Sequence, residues 1–248
     1  MSESTSERGP CGVAIVFALR EELKPFLKEC RIESQTIKKP ATLTRAHFRG
    51  VPLWLCQTGV GMANAHEGVE FLLHHAKPAL IVSAGCAGAT HPELSPGDLL
   101  LASEILSETP TDSFKPDPKS RASLETLIRE EQLPHRIGPL LTVWKVAGKA
   151  MKEEIGRKGA LALDMETAAV AAIAGKSQIP FVSLRAIFDP MDEEIPCSEP
   201  FDEEHPVGFL IKNPKMILKI PQYARWNRLC QKRLFQILSR LVDSQTSS

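Results

Sequence analysis

Neither sign of charge is in excess: thirty Lys and Arg residues balance thirty Asp and Glu residues. The whole molecule therefore carries no electrostatic pull toward nucleic acid. The six cysteines, at positions 11, 30, 56, 86, 197 and 230, form no CxxC pair and no Cys/His cluster at metal-ligand spacing. No metal site is expected, and scattered thiols of this kind fit a reducing cytosol. No apolar run is long enough to span a bilayer, and the opening MSESTSERGP lacks the apolar core of a secretory signal. The expectation is a cytoplasmic protein with a disordered tail over residues 1–11. Internal repeats and linkers are also missing. What remains is 248 residues, 43% apolar and 24% charged, enough for a substantial core.

The order of elements alternates. Gly12 to Ala18 is a short apolar run that reads as a central strand, and Leu19 to Glu29 then shows helical spacing with Leu19, Leu23, Phe26 and Leu27 on one side. Glu21 and Glu22 sit in that helix's first turn, where the dipole favours carboxylates. Arg31 to Lys39 is less regular, and a hairpin turning at Arg49–Gly50 follows. Thr58–Gly59–Val60–Gly61 then opens a helix from Met62 to His75. Its backbone N–H groups suit an anion or a hydroxyl-rich ligand, although a plain tight turn is the commoner meaning of such a sequence. Ala79 to Ser83 is a buried strand that runs into Ala84–Gly85–Cys86–Ala87–Gly88–Ala89, small enough to let a ligand approach the backbone. After the strand-like Leu99 to Ile105, residues 106–139 are polar and proline-bearing, with one helix expected from Ser120 to Glu131.

The stretch from Gly159 to Pro190 organises the rest. It reads as a strand from Ala160 to Leu163, an acidic pair (Asp164 and Glu166), a helix rich in small residues, and a second strand that delivers Asp189 at its carboxyl end. Open α/β sheets bind ligands beyond the carboxyl ends of their strands, so Glu166 and Asp189 are expected to face one crevice. Each alone also reads as an ordinary helix-end or turn residue.

Five segments occur here in one order: AIVFALREEL, QTGVGMANA, ALIVSAGCAGATHPELSPGDLLLASEI, ALALDMETAAVA and IPFVSLRAIFDP. In order and spacing they resemble the purine nucleoside phosphorylase and methylthioadenosine nucleosidase superfamily, from about Val13 to Pro190. LDMET, the FDPMD ending and a basic tail are most similar to its hopanoid-associated phosphorylase branch. The resemblance implies a single-domain three-layer α/β/α sandwich around a mixed sheet. It also implies cleavage of the C1′–N9 bond of a purine nucleoside, with no cofactor beyond phosphate as an optional co-substrate. Such cleavage needs an acid for the leaving base, negative charge and hydroxyl anchoring beneath an oxocarbenium-like ribose, and a held nucleophile.

By the same resemblance, Asp189 takes the base-protonating role and Glu166, beside Met165, grips the ribose hydroxyls. Glu22 activates or orients water, and Arg185 helps position the nucleophile. Cys86 and Gly88 occupy the Ser-Ala-Gly loop, while Thr58 and Gly59 belong to the loop for phosphate or nucleophile. Some residues depart from the family's pattern. Cys86 stands where a serine is usual, and a thiol is the poorer hydrogen-bond partner. Phe188 replaces a serine before the acid, which favours a raised Asp189 pKa through desolvation. Val146, in a strand expected over Thr142 to Val146, replaces an aromatic that flanks the base. The paired phosphate-binding arginines have no clear counterpart beyond Arg20 and Arg45, so phosphorolysis and hydrolysis both stay open.

The tail differs in composition. Lys212, Lys215, Lys219, Arg225, Arg228, Lys232, Arg233 and Arg240 occur over residues 207–242 without an acidic residue among them. Trp226, Cys230, Leu234, Leu238 and Leu241 recur at helical spacing from Pro221 onward. This basic amphipathic helix has two readings: it docks its apolar face on the domain, or it lies on an anionic membrane surface, peripheral to the inner membrane. The resulting division is a catalytic domain over residues 12–206, a helical extension over 207–242 and a disordered end over 243–248. The expected substrate is an adenosine with a large apolar 5′ group, such as an adenosylated hopane. The alternatives are a soluble methylthioadenosine/S-adenosylhomocysteine nucleosidase or futalosine hydrolase, and a non-catalytic nucleoside-binding relative. Retention of Glu22, Glu166, Arg185 and Asp189 argues against the last. The family's habit of burying part of the pocket between subunits implies a homo-oligomer.

Overall fold

The computed structural model describes residues 10–108, 113–195 and 215–245. In chain order the elements are β1 (Pro10–Phe17), α1 (Arg20–Glu29), β2 (Cys30–Lys38), β3 (Ala41–Phe48), β4 (Val51–Gln57), α2 (Met62–His75), β5 (Lys77–Ala89) and β6 (Leu99–Ser107). They continue with β7 (Ser113–Phe114), α3 (Pro118–Glu130), β8 (His135–Thr142), α4 (Lys149–Arg157), β9 (Ala162–Asp164), α5 (Thr167–Lys176), β10 (Phe181–Asp189) and α6 (Lys215–Ser244).

The backbone of the sheet is four parallel strands in the order β4, β1, β5, β10. Their residues are apolar on both faces, as strands covered on both sides must be. β3 and β2 add on antiparallel beyond β4. On the other side β10 pairs antiparallel with β6, which runs parallel to β8, which runs parallel to β9. β9 then returns antiparallel to the end of β5, through Gly88–Leu163 and Ala89–Ala162. The sheet therefore closes on itself at that end. One helical layer holds α1, α3 and α6, whose Leu23, Phe26, Leu124, Ile128, Leu234 and Leu238 share a core with the sheet. The opposite layer holds α2 and α5, packed through Ala65, Val69, Leu72, Ala168, Ala171 and Ala174. This is the expected nucleoside phosphorylase-like α/β sandwich around a mixed sheet.

Four local readings change. Residues 30–38 form β2, an edge strand that is exposed almost throughout; with one face solvated and little of the other buried, it lacks the apolar alternation that marks a strand. β5 does not end at Ser83 but runs thirteen residues to Ala89, so Gly85, Cys86 and Gly88 are strand residues rather than loop. β8 ends at Thr142, and Val143 to Gly148 carries no strand, because Val143 N–H turns to bond Asp164 O (2.8 Å). α4 had no counterpart in the sequence reading.

The C-terminal helix begins by Lys215 and carries Pro221 within it. Its apolar stripe is inside the molecule: Cys230, Leu234, Ile237, Leu238, Leu241 and Val242 are all buried. Phe235 meets Phe26 and Phe48 at ring-centroid distances of 5.0 and 6.0 Å. Docking, not a membrane surface, uses the apolar face. Among the described residues no helix is long and apolar enough to cross a membrane. Of the expected disordered ends, residues 1–9 and 246–248 lie outside the described residues, as does 207–214 of the extension. Pro10 and Cys11 begin β1, and the last helix continues to Ser244.

Candidate active site

The strand ends of β1, β4, β5, β9 and β10 open on one side of the sheet, and a cavity of about 220 Å³ lies there. Each acid arrives on a separate element. Glu22 is in the first turn of α1, just after β1; its Oε2 accepts the Leu19 N–H (3.1 Å) and its Oε1 accepts the Cys86 N–H from β5 (2.8 Å). Glu166 precedes α5 but does not cap it. Asp164 does that instead, accepting the Thr167 N–H (3.1 Å), which frees Glu166 to turn inward. Its carboxylate accepts the Gly61 N–H (2.8 Å) and the Met165 N–H (3.3 Å). Asp189 closes β10 and sits against the Cα of Gly88, where a Cβ would lie 3.2 Å from Oδ2.

Two cations stand behind these acids. Arg185, 2% exposed, is ion-paired with Asp164 (2.6 Å) and also donates to Ser83 Oγ (3.0 Å) and Thr167 Oγ1 (2.6 Å). Lys152, 1% exposed and carried on α4, is ion-paired with Asp189 and donates to the carbonyls of Pro190 and Glu193 (3.0 Å each). Asp164 and Asp189 thus each hold an ion pair, whereas Glu22 and Glu166 are held by backbone N–H groups. Burial accordingly pushes Glu166 up to about 7, reinforced by Asp164 and opposed by Arg185. Burial raises Glu22 as well, against its backbone hydrogen bonds and Arg185. It also raises Asp189, with Lys152 pulling the other way. Glu166 thus titrates close to neutral pH, and burial shifts Glu22 and Asp189 in the same direction, as acid–base chemistry requires.

The sequence model of the phosphorylase superfamily matches residues 12–213. The chain belongs to the phosphorylase superfamily. Two curated relatives are 5′-methylthioadenosine/S-adenosylhomocysteine nucleosidases. That of Staphylococcus haemolyticus is 24% identical over 196 residues (71% of this chain, 86% of the relative), and that of Bacillus cytotoxicus is 25% identical over 232 residues (81% and 96%). Among solved structures, the Neisseria meningitidis nucleosidase of the same name, in complex with methylthio-immucillin-A, superposes with a TM-score of 0.75 at 16% identity, covering 94% of this chain and 99% of that one. The native futalosine hydrolase of Helicobacter pylori gives 0.69 at 17%, covering 93% and 98%.

On this superfamily fold Glu22, Cys86, Gly88, Val146, Met165, Glu166 and Asp189 all line the one cavity. Arg185 does not line it; it lies beneath, under Gly85, where a Cβ would come within 2.5 Å of its Nη1. Thr58 and Gly59 are not among the residues lining the cavity. The Thr58 N–H bonds Phe17 O (2.9 Å) and the Gly59 N–H bonds Ala18 O (3.0 Å), so neither is available to an anion. Further along that loop Val60 lines the cavity and the Gly61 N–H donates to Glu166. Arg45 pairs with Glu33 (2.9 Å) on the β2–β3 side of the sheet. Phe188 lines the cavity and packs against Tyr223 and Trp226 of α6, with centroids at 5.5 and 6.1 Å. Lys152 escaped the sequence reading. Its one signal was its place on the same helical face as Ile155, where a lysine among residues otherwise bound for a core stands out.

Proposed function

We propose that this protein is a purine nucleosidase that hydrolyses the N-glycosidic bond of a 5′-substituted adenosine of the methylthioadenosine or S-adenosylhomocysteine type. The observation that carries this reading is the cavity itself. Four buried carboxyl groups line it: Glu22 from α1, Asp164 and Glu166 from the turn into α5, and Asp189 from the end of β10. The cations lining it among the described residues are Lys152, whose three N–H donors are already spent, and the exposed Lys145. A phosphate dianion would meet carboxylates with no desolvated cation aimed at it, whereas water meets a base. This supports hydrolysis over phosphorolysis.

In the reaction Asp189 delivers its proton to N7 of the purine as the C1′–N9 bond breaks, and the base leaves neutral. Glu166 accepts hydrogen bonds from the ribose hydroxyls, and its charge supports the cationic sugar. Glu22 takes a proton from water as the oxygen joins C1′; its raised pKa makes it the stronger base for that step. Arg185 holds Asp164 and the floor of the site in place. The names of the relatives support this substrate class, and another neighbour is named a futalosine hydrolase. The adenosylated hopane gains no support: its membrane-surface argument rested on an apolar helix face that is buried in the core.

The test is a panel of methylthioadenosine, S-adenosylhomocysteine, futalosine and inosine with purified protein, scored for free base. Turnover of one of the first two is expected to exceed that of inosine by about tenfold or more, equivalent to about 1.4 kcal/mol of discrimination. Base release from none of the four would end the reading.

A further inference from the structure

We propose that Lys152 is a positioning residue that shares with Asp189 the single proton passed to the leaving base, so that the two side chains donate as one couple. The proposal rests on the nucleosidase reading above and extends it to a residue outside the superfamily motifs quoted from the sequence.

The geometry serves both places for the proton. With the proton on nitrogen, the Lys152 ammonium has three N–H donors and three acceptors: Asp189 Oδ2, Pro190 O and Glu193 O. With the proton on Asp189, the neutral amine keeps two N–H donors for the two carbonyls and turns its lone pair to the Asp189 O–H. Only the proton needs to move between the two states. Both side chains are withdrawn from water, at 1% and 7% exposed, and burial disfavours separated charges, which brings the neutral pair within reach. When Asp189 protonates N7, the proton leaves the couple, the C1′–N9 electron pair stays on the purine, and a neutral base departs. What remains is a neutral amine beside a carboxylate, and solvent returns one proton to restore the couple.

Other charged groups surround the pair. Glu193 follows β10 and raises the Asp189 pKa; its carboxylate is ion-paired with Lys219 (2.9 Å) and accepts the Tyr223 hydroxyl (2.8 Å), both from α6. Glu22 from α1 and Glu166 from the start of α5 lie across the cavity, as do the Cys86 thiol of β5 and exposed Lys145. None of them bonds Lys152; Glu193 does so only through its carbonyl.

Variants of Lys152 in the full-length protein test the idea through the pH profile of kcat/KM for methylthioadenosine. Lys152→Gln keeps two N–H donors for the carbonyls and offers an oxygen to the Asp189 O–H, so the loop stays anchored, but it removes the second proton site. Asp189 then loses its proton at its own pKa instead of the couple's upper one, and the basic limb moves to lower pH. The expected loss is about tenfold or less at pH ~6 and at least about tenfold greater at pH ~9. Lys152→Arg keeps the charge but cannot give up a proton; it should lose about 10²–10⁴-fold at both pH values. Lys152→Met substitutes for Gln if that variant fails to fold, with the same shift expected.

Profiles of wild-type shape, lowered by one constant factor in the Gln or Met variant and the Arg variant alike, would overturn the proposal and leave Lys152 as an anchor for the loop after β10. Wild-type protein that releases no adenine from methylthioadenosine or S-adenosylhomocysteine would instead defeat the nucleosidase reading itself. The two failures are therefore separable.

Discussion

At the scale of single residues, burial raises three carboxyl groups in one cavity, and two of them give direct tests. Asp189→Asn keeps shape but has no proton to release; turnover should fall by about 10²–10⁴-fold while nucleoside affinity, read by calorimetry, changes little. Turnover near wild type would remove Asp189 from the mechanism. Glu166 rises from its ordinary 4.5 to about 7 on folding. A group whose folded pKa is the higher one stabilises the fold fully below its unfolded pKa, and that contribution is lost as pH rises through the folded value. Thermal stability of the ligand-free protein should therefore decline between about pH 4.5 and 7, and Glu166→Gln should flatten the decline without abolishing it, since Glu22 titrates in the same direction. Equal slopes in the two proteins would contradict the assignment. Gly85 is constrained by its surroundings: an added Cβ would sit 2.5 Å from Arg185 Nη1 and 2.9 Å from Glu22 Oε1. Gly85→Ala should cost about 1–3 kcal/mol, as overpacking of a closed site does, measured by denaturant unfolding. The acids were legible because each stands at a strand end within a motif. Lys152 was not, because its helix lies in a polar stretch and the partnership with Asp189 spans 37 positions, a pairing only the fold creates.

At the scale of elements, the parallel strands and their flanking helices were readable from apolar runs and 3.6-residue spacing. The exceptions have physical causes. β2 has no buried face to pattern, and β5 continues through residues too small to announce a strand. The last helix posed the sharper question, because a basic amphipathic stripe fits a membrane surface as well as a protein core. Its tertiary partners decide the matter, and these are Phe26 and Phe48, more than 180 residues earlier in the chain. Its first turns do leave Ile217, Leu218 and Ile220 exposed, but the stripe from Cys230 to Val242 is committed to the core. Leu238→Ala should accordingly destabilise the protein by about 2–5 kcal/mol in thermal or denaturant unfolding, and the full-length protein should stay in the supernatant with anionic vesicles at low salt. A variant as stable as wild type, or sedimentation with vesicles that weakens with salt, would contradict docking as the helix's role.

At the scale of the whole molecule, the sheet's closure through β9 and β5 is what brings the acids together. Without the Gly88–Leu163 pairing, the turn that carries Asp164 and Glu166 would not lie beside the end of β10. No local pattern in the sequence encodes that return; only the order of the five motifs implied it. The closed end gathers four buried carboxyl groups, two of them ion-paired with buried cations, and among the described residues no buried cation is left to meet a phosphate, so the proposed reaction takes water as nucleophile. The measurement that tests this most directly is turnover of methylthioadenosine by the full-length protein in phosphate-free buffer, and again with added phosphate. Adenine and free methylthioribose should appear at the same rate in both. Adenine release that requires phosphate and yields the sugar 1-phosphate, or no release at all, would contradict the account.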